Sequence, residues 1–293
     1  MRKAERAKEQ LKKYSHLFSC PVCGSDMTMV EGKSLVCGNR HNFDLAKSGY
    51  INLLQRPVKT QYDRELLAAR KLVANSGFFT PLLSVVSALL RERIGQITQS
   101  PMAILDAGCG EGSHLSVLIT RLRREMEISP IGVGVDLARE GIQMAVKNDP
   151  DLIWCVADLA KLPLKNGRFG VVLNILSPAN YGEFSRVLNA EGVLLKVVPG
   201  KKYLTELRTV FFADNDQKTY SNERVIRHFA KHFQLVAQQK VFSRFSVEEE
   251  MLRPLLKMTP LSWHVPKEKM EQVFRKGLKE VTVEFEVLVG QKT

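Results

Sequence analysis

The sequence predicts an α/β protein, a doubly wound and mostly parallel sheet with an antiparallel edge strand, preceded by a small cysteine-bearing module. Three observations point there. Residues 103–106, 131–136, 152–158, 169–176 and 192–198 are short β-rich runs separated by helical stretches, and continuous apolar strands between helices are what a parallel sheet covered on both faces requires. Near the end, Val281, Val283, Phe285, Val287 and Val289 alternate with polar residues, the pattern of a half-exposed antiparallel edge. Three of the five cysteines fall within residues 17–58, a block with turn residues Pro21, Gly24, Gly32 and Gly38 that is too small to hold itself together by burial alone.

The elements follow in order. Residues 1–16 are rich in Lys and Arg around a few apolar residues such as Leu11 and Tyr14; they read as a charged, solvated helix or frayed arm, either RNA-contacting or a bare extension. Residues 17–58 form the cysteine module. Residues 59–95 form a helical connector, with Leu66, Leu67, Leu82, Leu83, Val86, Leu89 and Leu90 at helical spacing and a break at Asn75-Ser-Gly. Residues 96–293 carry the sheet. A chain of 293 residues has room for two domains, and 44% hydrophobic with 25% charged residues excludes a disordered or fibrous chain. Lys and Arg number 43 against 31 Asp and Glu, a net charge of +12. That excess fits a polyanionic partner, nucleic acid before an anionic membrane surface. No apolar run approaches the ~18 residues of a membrane-spanning helix, and the basic N-terminus lacks the apolar stretch of a secretory signal. A cytoplasmic location is expected, since five cysteines in metal-like spacing suit a reducing compartment.

The module carries Cys20-Pro-Val-Cys23 and Cys37-Gly-Asn-Arg-His41. Two residues between thiols let one tight turn aim both sulfurs at one ion, and the second pair closes the tetrahedron. Three thiolates and one imidazole describe a structural zinc site with no open position, and the metal would supply folding energy the block lacks. Free thiols in a small core are the competing reading. His16 could replace His41 as ligand, although the spacing favours His41. Cys109 and Cys155 read as packing residues.

The strand at 103–106 runs into Gly108-Cys-Gly110-Glu-Gly112, a turn that lets backbone approach a ligand at the carboxyl edge of the sheet. A dinucleotide would require G-x-G-x-x-G, yet the position three after Gly110 is Ser113, and Glu111 would repel a pyrophosphate. A nicotinamide-dependent oxidoreductase is therefore disfavoured. S-adenosylmethionine carries no phosphate and has a cationic sulfonium and ammonium, which suits Asp106 and the acidic turn. Asp136 and Asp158 end the next two strands, placed to accept from ribose hydroxyls and from the adenine amine; helix capping is the competing role for each. After the fourth strand, Asn174, Ser177, Pro178, Asn180 and Tyr181 offer groups that could hold a base drawn from its stack, or form an ordinary turn before a helix. These make Asn174, Ser177 and Pro178 the candidate catalytic residues, with His114, Glu183 or Asp158 as candidate bases. Lys47, Arg56, Lys59, Arg64, Arg70 and Lys71 are candidates for phosphate contact.

These segments together resemble a known family. The knuckle followed by Phe43-Asp-Leu-Ala-Lys-Ser-Gly-Tyr-Ile-Asn-Leu-Leu54, then Ala68-Ala-Arg-Lys71, Ser76-Gly-Phe-Phe-Thr-Pro81, Leu105-Asp-Ala-Gly-Cys-Gly-Glu-Gly112, Pro199-Gly-Lys-Lys-Tyr-Leu-Thr-Glu-Leu207 and Leu256-Lys-Met-Thr-Pro-Leu-Ser-Trp263, is similar to the RlmA family of 23S rRNA (guanine-N1)-methyltransferases. The resemblance implies a class I S-adenosylmethionine-dependent methyltransferase fold with a small N-terminal zinc-binding domain. It implies 23S rRNA as partner, a homodimer, and methylation of a guanine in a hairpin at the peptide exit tunnel, which alters macrolide-type antibiotic binding. The family's zinc ligands fall on Cys20, Cys23, Cys37 and His41; its cofactor contacts fall on Gly110, Glu111, Phe79 and Tyr203. Phe79 and Tyr203 stand where other members carry Tyr and His. The segment from Leu173 to Tyr181 is most similar to the Gram-positive subgroup, which implies the nucleotide-748 class. A zinc-containing RNA-binding protein with an inactive methyltransferase fold, or a methyltransferase for another RNA or a small molecule, are the alternatives.

Overall fold

The computed structural model describes residues 3–58, 60–95, 97, 102–213 and 220–292; Lys59, one of the candidate phosphate contacts, lies outside them. The chain opens with α1 (Lys3–Lys13), followed by a three-stranded antiparallel sheet of β1 (Met27–Val30), β2 (Ser34–Cys37) and β3 (Asn42–Asp44), then by the short β4 (Ile51–Asn52). The connector is α2 (Arg64–Asn75) and α3 (Thr80–Ile94). Asp63 caps α2 by accepting from Leu66 N at 2.7 Å, Pro81 sits in the first turn of α3, and the break between them falls at the expected Asn75-Ser-Gly.

The main body alternates β5 (Ala103–Ala107), α4 (Ser113–Met126), β6 (Ile131–Asp136), α5 (Arg139–Asn148), β7 (Ile153–Val156), β8 (Phe169–Ile175), α6 (Tyr181–Val187) and β9 (Leu188–Pro199). It continues with α7 (Thr205–Phe211), α8 (Glu223–Ala230), β10 (Gln234–Ser246), α9 (Glu249–Met258), α10 (Lys267–Lys276) and β11 (Glu280–Gln291). The eight-stranded sheet runs β10-β11-β9-β8-β5-β6-β7-β4, parallel from β9 to β4, with β11 antiparallel to both its neighbours. The chain leaves β5 toward β6 on one side and later returns to its other side as β8. Ligands of such sheets bind at this switch, outside the carboxyl ends of the strands. Apolar side chains pack in two clusters that cover the sheet, and β8 is buried along its whole length.

Three expectations are corrected. The alternating segment 281–289 does belong to an antiparallel hairpin at one side of the sheet, yet β11 lies one place in from the edge, between β9 and β10; residues 285–290 are therefore buried on both faces. Ile51 and Asn52, read as part of the cysteine module, pair in parallel with Cys155 and Val156 and so extend the main sheet. Of the two forms read for the N-terminal segment the helix is the one present, and it is docked on the body instead of solvated all round. Ala7 and Leu11, one helical turn apart, are buried, Arg6 pairs with Asp151, and a Cβ on Gly49 would sit only 2.4 Å from that of Ala7. Among the described residues no single helix is long and apolar enough to cross a membrane.

Candidate active site and metal centre

Cys20 and Cys23 lie on the turn before β1, Cys37 ends β2, and His41 leads into β3. Backbone bonds shape both knuckles: Gly24 N donates to Cys20 O at 2.8 Å, Arg40 N to Cys37 O at 2.9 Å and Cys37 N to His41 O at 3.1 Å. His41 Nδ1 stands 3.6 Å from Cys20 Sγ and 3.3 Å from Cys37 Sγ, while Cys23 and Cys37 sulfurs are 3.7 Å apart. All four donor atoms lie within 4.8 Å of one another. A tetrahedral ion with Zn–S near 2.3 Å requires sulfurs about 3.8 Å apart, so the four residues fit a structural zinc ion. His16 instead places its ring edge-on to Tyr14.

At the carboxyl end of β5 the glycine turn folds back on β6. Gly108 N and Cys109 N both donate to Val135 O at 2.8 and 3.1 Å, and Asp136 Oδ2 accepts from Gly110 N at 2.8 Å. Asp136 Oδ1 accepts from Ala138 N at 2.7 Å, and Asp158 Oδ1 accepts from Ala160 N at 2.8 Å. Both carboxylates thus hold local turns and neither caps a helix, since α5 starts from Ala138 without a side-chain cap and a turn follows Asp158; both also line a cavity of about 340 Å³. Gly108, Gly110, Ser177 and Pro178 line the same cavity, and Arg70 of α2 enters it from the connector. Gly108 has φ +86°, and a Cβ there would fall 1.8 Å from Ser177 Oγ; over Gly110 the nearest atoms are those of the Arg70 guanidinium, 3.7 Å away at the closest.

Behind the turn lies a group of buried carboxyls. Asp106 is 1% exposed with no hydrogen-bond partner on either oxygen. Burial pushes it up to about 7; the Arg70 guanidinium opposes the shift, and the Asp136 and Glu111 charges add to it. Burial likewise raises Glu111, which accepts from Ser113 Oγ at 2.5 Å, and raises Asp136. Gly112 closes the turn against Trp154 and Ala145. Orphaned carboxyl oxygens and a backbone cradle suit a ligand with an ammonium, a sulfonium and a diol. A diphosphate would meet Asp136 and Asp158 at the wall, with Asp106 and Glu111 buried behind it, against one arginine. The residues therefore fit S-adenosylmethionine.

Comparison with known proteins gives the lineage. Residues 18–62 match the family model described as RlmA, N-terminal, a zinc ribbon, and residues 105–195 match that of a methyltransferase domain. YxjB of Bacillus subtilis, provisionally assigned as a 23S rRNA (guanine-N(1)-)-methyltransferase, is 41% identical over 281 residues, covering 94% of this chain and 97% of its own. The 23S rRNA (guanine(748)-N(1))-methyltransferase of Streptomyces fradiae is 30% identical over 268 residues, 90% of this chain and 92% of its own. The chain belongs to the RlmA family. It is a methyltransferase whose donor is S-adenosylmethionine, with a zinc ribbon at its N-terminal side.

In this RlmA-family member the two aromatic positions lie beneath the turn. Phe79 packs 4.7 Å from the His114 ring and stacks on Phe285 at 6.0 Å; Tyr203 lies 5.2 Å from Phe285. Both rings are buried, and neither lines the cavity. His114 is buried and pushed down to about 3 by loss of solvent, with Arg70 adding to the effect. It stays neutral and is a weak proton acceptor. Glu183 accepts from Leu162 N and pairs with Arg186, which together hold its carboxyl below the usual range; it faces a different cleft beside Lys161 and Pro163. It is not placed to serve as a base here.

Asn174 is fully buried and bridges two strand ends, donating to Ala107 O at 2.8 Å and Pro178 O at 3.0 Å. Its own Oδ1 accepts from Lys196 Nζ, which donates also to Ser177 O. Sequence reading missed Lys196. A lysine inside Val193-Leu-Leu-Lys-Val-Val198, a strand covered on both faces, was the signal available. Burial lowers it to about 8. Asn180, by contrast, is an ordinary cap of α6, accepting from Glu183 N. Ser177 and Pro178 also border a second cleft of about 880 Å³, whose other walls carry Lys196, Arg224, Arg227 and Lys231. Of the remaining basic candidates, Arg56 and Arg64 line a further cleft with Arg139, Lys47 is exposed, and Lys71 is engaged with Asn148.

Proposed function

We propose that this chain methylates N1 of a guanine in a hairpin of 23S rRNA lining the peptide exit tunnel, in the nucleotide-748 class, and thereby alters macrolide-type antibiotic binding. One observation carries the reading: Ser177 and Pro178 are a wall shared by the donor cavity and the cationic cleft. A base lodged over that wall faces the donor on one side while its strand's phosphates meet Arg224, Arg227 and Lys231 on the other. The nucleotide choice draws support from the Streptomyces fradiae relative and from the segment Leu173 to Tyr181. A homodimer acting on rRNA in the cytoplasm belongs to the same proposal.

The donor, when bound, supplies an electrophilic methyl. Guanine N1 carries a proton at neutral pH, so its lone pair becomes available as that proton leaves to solvent. The N1–carbon bond then forms as the carbon–sulfur bond breaks, and no covalent enzyme species is needed. The chain's contribution is alignment, which supplies several kcal/mol of barrier reduction. Asn174 and Lys196 fix Ser177 and Pro178 against the ends of β5 and β8. Primer extension on rRNA from strains with and without the gene tests the reading. A stop at one exit-tunnel guanine that depends on the protein is expected; identical profiles refute it.

A further inference from the structure

Arg70 lies on the connector helix, outside the sheet domain, and the sequence placed it among surface cations for phosphate. The structure puts it elsewhere. Its guanidinium reaches over Gly110 inside the donor cavity, 3.7 Å from where a Cβ would stand. Its charge is felt by Asp106, Glu111 and Asp136, and it opposes the upward shift of each. Among the described residues it forms no ion pair within 4 Å and no hydrogen bond, so a forked set of N–H donors faces the cavity unfilled.

We infer that Arg70 anchors the α-carboxylate of the donor's amino-acid end, while the ammonium of the same group lies in the field of the buried carboxyls behind the glycine turn. The chemistry of the cavity gives the two charges different partners. Buried carboxyls behind the glycine turn repel a carboxylate and attract an ammonium; among the described residues the only cation lining the cavity is Arg70. A planar guanidinium matches a carboxylate with two parallel N–H···O bonds, which a point charge does not. Before the donor enters, Arg70 partly offsets three buried acids; once it enters, the donor's ammonium takes over that role and Arg70 turns to the carboxylate. The cofactor would then pin α2 to the sheet domain. This inference concerns donor binding alone and stands whichever RNA is modified.

Calorimetry with S-adenosylmethionine and with its decarboxylated analogue, which keeps the sulfonium and the amine, isolates the carboxylate. The wild-type chain is expected to prefer the intact donor by about 50-fold, the scale of a charge-assisted paired hydrogen bond. In R70Q the preference should collapse to within about threefold through weaker binding of the intact donor, while affinity for the analogue holds. R70K, which keeps the charge and loses the fork, should fall between them. If both ligands weaken equally in R70Q, Arg70 only shapes the cavity and the inference fails. It fails also if the 50-fold preference survives in R70Q and R70K, and their thermal melts report whether each variant is folded.

Discussion

The zinc ribbon and the donor cavity both gather a few polar side chains around a ligand, and they are held together in opposite ways. The ribbon's four ligands sit on two tight turns of a three-stranded sheet whose own buried residues are few, such as Met27 and Leu35. The cavity stands at the end of an eight-stranded sheet whose central strands β5 and β8 are buried throughout. Its geometry is held by the chain's own bonds: Asp136 clamps the glycine turn, and Asn174 and Lys196 clamp the loop after β8. In the ribbon, ligand binding supplies the fold. In the cavity, the fold holds acids together that would otherwise avoid one another.

Removing the metal should therefore break the contrast most sharply. Cys37→Ser, or chelation, deletes an interaction worth roughly 10–16 kcal/mol in small zinc modules. Residues 18–45 should become protease-sensitive and RNA affinity should drop, while calorimetry finds donor binding changed by less than about threefold. Loss of donor binding alongside the zinc would show that the two regions are not separable, a live issue because β4 joins the ribbon to β7.

The cavity's burden should appear in its pH response. Asp106 titrates near 7 when folded against 3.8 as a free side chain. A group raised by folding contributes stability below its unfolded value and loses it as pH rises toward the folded one. Stability should fall between about pH 4 and pH 7 by up to about 4 kcal/mol from this group. Urea unfolding of Asp106→Asn should lack that fall, and the variant should exceed wild type above pH 7 without donor while binding the donor less tightly. Parallel pH profiles would contradict the assignment.

Gly108→Ala asks less of the fold and much of the site. The new methyl meets Ser177, and the backbone holds φ +86°. A stability cost of about 2–3 kcal/mol and at least a hundredfold loss of donor affinity are expected, read by melting and calorimetry. Wild-type donor binding would mean the turn is not the cradle. The smallest effect belongs to the cleft on the far side of Ser177 and Pro178. Replacing Arg224, Arg227 and Lys231 with alanine should lower the salt dependence of RNA binding by two to three counterions, about one for each phosphate contact removed, with donor affinity intact. An unchanged slope would move the RNA path elsewhere.

What could be read from the sequence was what local pattern encodes. The strands of the parallel sheet, the glycine turn, the break at Asn75 and the C-x2-C knuckle each depend on neighbours along the chain. What escaped depends on contacts across it. Nothing near Ile51 shows that it will pair with Cys155, and nothing in residues 1–16 shows that Ala7 will seat against Gly49. The alternation of 281–289 describes an edge strand faithfully, but β10 then covers it. Arg70 and Lys196 looked like surface charge and strand interior; their roles come from partners more than 15 residues distant, Gly110 for one and Asn174 for the other.

The central claim is that this cavity delivers a methyl group to the N1 edge of one guanine. Incubating the zinc-loaded chain with 23S rRNA and S-adenosylmethionine, digesting the RNA to nucleosides and resolving them by mass spectrometry tests it directly. The account predicts 1-methylguanosine, approaching one per RNA and absent without the donor. Methylation at another atom or another base, or none at all with an RNA that the chain demonstrably binds, would contradict it.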